Sequence, residues 1–176
     1  HDARNHPEID QRSGVSVRMS IANYETIVSN AFRRSLRLQE REVVPRITDL
    51  PAAFASSLGK IEWFGLEEKR EDQTFRAIVR DGIRKVFASY FSDSAIEKIL
   101  TDFDHRKKIY VSEDMPAKKY GEQVKAIPSL HSSVEGIVEK SSPALIASAL
   151  EFVLEGLHLR GKLHKEQIGN EEVYRS

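Results

Sequence analysis

The stretch from Ser142 to Leu157 constrains the fold more than any other part of this 176-residue chain. Ser142 offers a hydroxyl to the free amides of a first helical turn, and Pro143 has the fixed φ that suits the first helical position. Leu145, Ile146, Ala149, Leu150, Val153, Leu154 and Leu157 then form a broad apolar face. A helix with that face has to be buried, so the remaining elements must pack around it. Ser148, Glu151, Glu155 and His158 interrupt the run. No apolar stretch reaches the roughly 18 residues that a membrane helix requires, and the chain is not expected to span a bilayer.

The same three- and four-residue apolar spacing recurs upstream. Val17, Ile21, Tyr24, Val28 and Ala31, continued by Leu38, predict a helix of about six turns. Ser16 is its N-cap, Gly14 allows the sharp entry, and Arg33, Arg34 and Arg37 suit the negative C-terminal end. Pro45 stops what precedes it, and Ile47, Leu50, Ala53, Phe54 and Leu58 give a short second helix closed by Gly59. Phe75 to Phe91 and Ala95 to Phe103 read as two more helices, the latter capped by Asp93 or Ser94. Amphipathic segments follow around Tyr120 and Val124 and around Leu130 and Val134. Lys107–Ser112 and Lys60–Phe64 are either short strands or extended links, with links expected, and the polar tail after Lys165 is expected to fray. The predicted fold is all-α, a helical bundle with a C-terminal helical extension.

Charge narrows the function. Lys plus Arg and Asp plus Glu number 27 each, giving no net charge, whereas a polyanion binder carries a basic excess. Nucleic acid is not the expected ligand, and a helix-turn-helix arrangement around Pro45 is disfavoured on the same ground. Cys is absent, which removes disulfides, zinc-thiolate sites and a cysteine nucleophile and leaves the cytosol as the default compartment. The chain opens on His1-Asp2-Ala3-Arg4 with neither the basic start nor the apolar centre of a signal peptide, and is read as a fragment.

Several chemistries lack their residues. Gly59-Lys60-Ile61 has neither the upstream glycine nor the hydroxyl of a phosphate-binding loop. His1-Asp2 has no companion His and Asp at helical spacing, His158 and His164 fall on different helix faces, and His105 and His131 have no ligand pattern around them, so no metal site is expected. Glu67-Glu68 and Glu171-Glu172 are sequence neighbours and read as a solvated face. Arg33, Arg34 and Arg37 are balanced by Glu40 and Glu42 and read as cations at a helix end.

Arg12-Ser13-Gly14-Val15-Ser16-Val17-Arg18 is different. It sets Arg18 in the first turn of a helix, where the dipole and the free amides disfavour a cation unless an anion joins it. A phosphate there would be gripped by a guanidinium fork and favoured by the helix end. The plain alternative has Arg18 in solvent or paired with Asp10 or Glu25.

Gly14-Val15-Ser16-Val17-Arg18-Met19-Ser20, opening a helix that runs through Ala31, resembles the sensor 2 region of AAA+ ATPases of the MoxR and magnesium-chelatase group. Asp10 to Asn30 and Val44 to Leu50 carry the likeness, which covers residues 10 to 65. The resemblance implies a connecting segment over 1–14, an AAA+ lid over 15–104 and a helical extension over 105–176. It further implies that ATP and magnesium are held by an upstream nucleotide-binding domain and that Arg18 reaches the γ-phosphate, with Gly14 and Ser16 shaping its turn. Such ATPases work as ring homo-oligomers and often act with a von Willebrand factor A domain. The nucleotide-binding motifs themselves are missing, so this chain alone is not expected to hydrolyse ATP. The competing expectation is an autonomous helical protein-interaction module with Arg18 incidental.

Overall fold

In a computed structural model of the chain the described residues are 2–9, 15–63, 68–103 and 107–176. Among them are seven α-helices: α1 (Val17–Arg37), α2 (Ala53–Ser57), α3 (Glu68–Tyr90), α4 (Asp93–Asp102), α5 (Ala117–Val124), α6 (Pro128–Glu135) and α7 (Pro143–Leu159). Strands β1 (Lys108–Val111), β2 (His164–Ile168) and β3 (Glu171–Arg175) form one antiparallel sheet in the order β1-β3-β2. The fold is mainly helical, as the periodicities require, and the sheet corrects the all-α expectation.

Two serine caps lie where the sequence puts them. Ser16 Oγ accepts from the Arg18 N–H and Ser142 Oγ from the Leu145 N–H, each at 3.3 Å. The α4 cap is Ser92, not Asp93 or Ser94. Ser92 keeps an extended backbone (φ −73°, ψ 161°) and accepts from the Ala95 N–H, whereas Asp93 is already helical. The second predicted helix is a 3₁₀ turn, Ile47–Ala52, leading into the short α2, because Pro51 removes a backbone donor from its middle.

The tail after Lys165 does not fray. Gly169 and Asn170 make a two-residue turn, with Gly169 at φ 61°, that folds β2 back on β3 in the register Ile168 opposite Glu171. Val173 and Tyr174, each 1% exposed, fasten the hairpin. Lys108–Val111, expected as a link, pairs with β3, while Ile61 and Trp63 make only isolated bridges to Val15 and Ile9.

Ten of the 17 residues of α7 are buried, and α3, α5, α6 and the Ile47–Ala52 turn lie against it. The main core gathers Phe87, Ile96, Ile99 and Phe103 from before residue 104 with Tyr120, Leu130, Leu150 and Leu154 from after it. A smaller core joins Ile9, Met19, Ala53, Ile61 and Phe75. Helix α1 follows its predicted stripe only in its second half, where Ala31 is 1% exposed and Val28 and Leu38 are half-buried. Val17, Ile21 and Tyr24 are 70%, 59% and 70% exposed, and Phe32 and Leu36 continue the outward stripe. Polar residues share the inner face with Met19, Ile27 and Ala31: Asn23 Oδ1 accepts from Ser56 Oγ at 2.7 Å, and Asn30 Nδ2 donates to Asp49 Oδ1 at 2.9 Å.

Helices α3 and α7 meet where Gly156 leaves room for a ring. A Cβ at 156 would sit 2.0 Å from Phe87 Cδ2, and Phe87 is fully buried. Alanine improves helix propensity by about 1 kcal/mol, but overpacking of this kind costs about 1–3 kcal/mol and the ring has nowhere to retreat. Gly156→Ala is expected to lower stability in urea unfolding, whereas a Phe87→Leu, Gly156→Ala double variant recovers part of the loss.

Candidate functional site

Two of the expected site residues, Ser16 and Arg18, lie at the start of α1. Gly14 lies outside the described residues, as do Arg12, Asp10, Glu67 and His105. Ser16 is tied down at both ends: its N–H donates to the Lys60 carbonyl at 3.1 Å and its carbonyl accepts from the Met19 N–H at 3.0 Å. Arg18 therefore stands on a fixed turn while its own side chain is exposed. Among the described residues no hydrogen bond or ion pair engages its guanidinium, and none joins it to Glu25. Val17 and Ile21 beside it are exposed as well.

The arginines farther along α1 are committed. Arg34 stands in the last turn of α1 as expected, but buried: it donates to Asp49 Oδ2 at 2.7 Å and to the Val44 carbonyl at 2.8 Å. Arg46 donates to Glu40 Oε1 at 3.1 Å and to the Met115 carbonyl at 3.0 Å, and its guanidinium lies 4.8 Å from the centre of the Tyr120 ring. Arg37 pairs with Asp114 at 3.1 Å.

A cleft of about 760 Å³ opens between α3, the Ile47–Ala52 turn and the sheet. Phe54, Phe75, Val79 and Ile83 supply an apolar wall, and Glu155, His158, Lys165 and Glu172 supply polar groups opposite. Lys165 Nζ bridges Glu155 and Glu172, each at 2.9 Å, and the Tyr174 hydroxyl donates to Glu155 Oε2 at 2.7 Å. Burial alone would raise the Glu155 carboxyl, but the Lys165 ammonium and the bonds from Tyr174 and Lys165 outweigh it and hold the carboxyl below its ordinary value. Burial likewise opposes the Lys165 charge, yet Glu155 and Glu172 carry the ammonium above its ordinary value. Both groups stay ionised near neutrality, so the pair organises the cleft and does not exchange protons there.

One turn earlier on α7, Glu151 has the opposite tendency. Burial pushes its carboxyl up, against the Thr48 N–H at 3.0 Å and the Tyr120 hydroxyl at 2.8 Å. Sequence reasoning missed both carboxylates as partners, noting them only as breaks in an apolar run. Their signal is the spacing of Ser148, Glu151, Glu155 and His158, which puts four polar groups on one face of a buried helix. Glu172, read as solvated, is half-buried against Lys165. His131 meets Glu135 at 3.6 Å, and His158 Nδ1 lies 3.1 Å from the Leu163 carbonyl.

Among the described residues no group of His, Asp and Glu is arranged to hold a metal ion, and no helix is long and apolar enough to cross a membrane. Fold and cleft together define a mainly helical protein with a small antiparallel sheet. Comparison with protein families, with curated proteins and with solved structures returns no match.

The two α7 carboxylates give opposite dependences on pH. Glu155, lowered in the native state, contributes stability that is complete above its ordinary value of 4.5 and is lost as pH falls through the native value. Glu151, raised in the native state, favours folding most below 4.5 and less as pH rises through its native value. Glu155→Gln is expected to cost about 1.5–3 kcal/mol at pH 7, the scale of a hydrogen bond to a charged group, and to flatten the acid limb of stability in urea titrations. An acid limb of unchanged slope would show that Glu155 is not coupled to folding.

Proposed function

We propose that this chain is the nucleotide-sensing lid of a MoxR-like or magnesium-chelatase-related AAA+ ATPase, docking through the first half of α1 on a separate nucleotide-binding domain. The observation that carries the reading is Arg18: an exposed guanidinium with no partner among the described residues, in the first turn of a helix whose cap is rigidly anchored. A cation at that position raises the local free energy until an anion arrives, so it favours the phosphate-bound state over the empty one. The exposed side chains of Val17, Ile21 and Tyr24 give the same end of the helix an apolar surface to bury against the neighbour.

The residues present fit the phosphate end of a nucleotide and not its metal. Arg18 supplies a planar donor fork, while the acidic ligands that magnesium needs are left to the upstream domain. Bound there, ATP and magnesium supply the transferable phosphoryl group and neutralise part of its charge. Arg18 stabilises charge on the terminal phosphate from the lid side, and because it rides on α1, lid position and nucleotide state become linked. The lid in turn presents its outer surfaces to ring neighbours or to a von Willebrand factor A domain, and the assembly works in the cytoplasm.

The outward stripe of α1 equally suits a protein-interaction module without nucleotide, and one substitution separates the two readings. In the chain joined to its nucleotide-binding domain, Arg18→Ala is expected to lower ATP turnover tenfold or more, about 1.4 kcal/mol of transition-state stabilisation. The melting temperature should be unchanged, since no bond within the described residues is lost. Unaltered turnover would favour the interaction module.

A further inference from the structure

The two edges of the sheet are finished differently, and that difference identifies a docking site. The outer edge of β1 is closed by a side chain that imitates a strand: the Tyr110 N–H donates to Gln123 Oε1 at 2.8 Å, and Gln123 Nε2 donates to the Tyr110 carbonyl at 3.0 Å. The outer edge of β2 has no such cover. In an antiparallel pair, residues that exchange both main-chain bonds alternate with residues whose N–H and C=O point away. The two-residue turn at Gly169-Asn170 makes Ile168 and Glu171 a bonded pair, so Glu166 with Val173 and His164 with Arg175 follow in the same phase. The N–H and C=O of Lys165 and Gln167 then point outward, and among the described residues neither has a main-chain partner there. The same phase continues across β3 to β1, where it leaves Tyr110 facing out, the residue that Gln123 covers.

The bare edge borders the cleft. Lys165 and Gln167 line it, and the apolar side chains Phe75, Val79 and Ile83 of α3 form its facing wall. Edge strands are usually blunted or covered because they recruit other strands, and this one is open beside a concave surface. From these two features we infer that β2 accepts an extended segment of a partner protein, which adds as a fourth strand through main-chain bonds to Lys165 and Gln167 and drops alternate side chains into the cleft.

Charge selects the partner. The cleft walls carry five carboxylates (Asp72, Glu113, Asp114, Glu155 and Glu172) against three permanent cations (Arg76, Arg80 and Lys165), and with Asp114 paired to Arg37 an excess of one negative charge is left. Glu166 and Ile168 flank the outer face of the edge. The complement is a net-basic strand with apolar side chains at every second position. A second copy of the chain is a poor occupant: antiparallel pairing of Lys165 with Gln167 of the copy brings Glu166 opposite Glu166, and each is already paired with its own Arg175, so the contact gains no complementary charge. The inference stands on the sheet and the cleft and is independent of the nucleotide reading, since Arg18 lines neither.

The test uses a fluorescein-labelled ten-residue peptide of alternating Val and Lys, with a Val and Glu counterpart, titrated against the whole chain by anisotropy. The basic peptide is expected to bind saturably and the acidic one at least tenfold more weakly. Gln167→Pro removes an outward N–H that β3 does not use and should weaken binding at least tenfold. Amide exchange at Lys165 and Gln167 of the unaltered protein should slow at least tenfold with the basic peptide, which settles the matter should Gln167→Pro fail to fold. Absence of saturable binding, equal binding by Gln167→Pro in folded form, or unchanged exchange at both amides would overturn the inference. So would concentration-dependent dimerisation through β2 in sedimentation, which would make a second copy the occupant.

Discussion

Everything in this fold is arranged around a carboxylate that cannot reach water. Glu151 is 1% exposed on α7, and each of its oxygens is taken up by a different part of the chain. Thr48 donates to Oε2 through both its N–H and its hydroxyl, and Tyr120 donates to Oε1 from α5. A buried carboxyl without partners would be driven to its neutral form and still leave polar atoms unsatisfied, so the bonds from Thr48 and Tyr120 are what make the position tolerable. They fix the Ile47–Ala52 turn and α5 on the same helix at one point. Ser148, Glu155 and His158 extend the polar line: Ser148 Oγ donates to the Pro45 carbonyl at 2.6 Å, Glu155 holds the sheet through Lys165 and Tyr174, and His158 meets the Leu163 carbonyl. An apolar helix would pack in several registers, whereas these four groups admit one.

The polar line continues outward to α1 through charge. Asp49 takes Arg34 and Asn30 from α1 and the Arg46 N–H from its own turn, and Glu40 takes Arg46 and the Ala117 N–H at 2.6 Å. Arg34 and Arg46 each keep an Nε–H without an acceptor, which costs about 1–3 kcal/mol apiece and marks the network as a device for orientation more than for stability. Helix α1 is thereby held by its polar residues near its C-terminal half. Val17, Ile21, Tyr24, Phe32 and Leu36 are left outside, while Ala31 of the predicted stripe is buried.

Helix positions were legible because the 3.6-residue period is local and the serine caps act within one turn, so Val17–Arg37 and Pro143–Leu159 start where the sequence says. The side of α1 that faces inward was not, because periodicity identifies an apolar face without saying what covers it. The hairpin at the C-terminus was hidden for a related reason. His164 to Ile168 is exposed at all but one position and has no alternation to read, so the fold of that tail is decided by Gly169-Asn170 and by the buried Tyr174 bonding to Glu155. Arg34 and Glu155 look in sequence like any other surface charges. Their burial depends on partners 15 and 10 residues away in the chain that only the tertiary fold brings close.

Freedom alone does not single out Arg18 as the residue that meets a phosphate. Arg41, Arg70 and Arg80 are also exposed, and none shows a partner among the described residues. What differs is the backbone beneath. Arg80 stands mid-helix in α3, where the peptide dipoles on either side cancel, and Arg41 lies in the irregular segment after α1. Arg18 and Arg70 stand in the first turns of α1 and α3, where the aligned dipoles leave a positive end, but the sequence of α3 opens with Glu68 and Glu71, whereas the first turn of α1 holds no acidic residue and its cap is bonded to Lys60. The charge of Arg18 is destabilising there in the free chain and becomes favourable only with an anion at the same helix end. A residue that costs the free state and rewards the bound one is suited to report whether the ligand is present, which a well-paired arginine such as Arg34 cannot do.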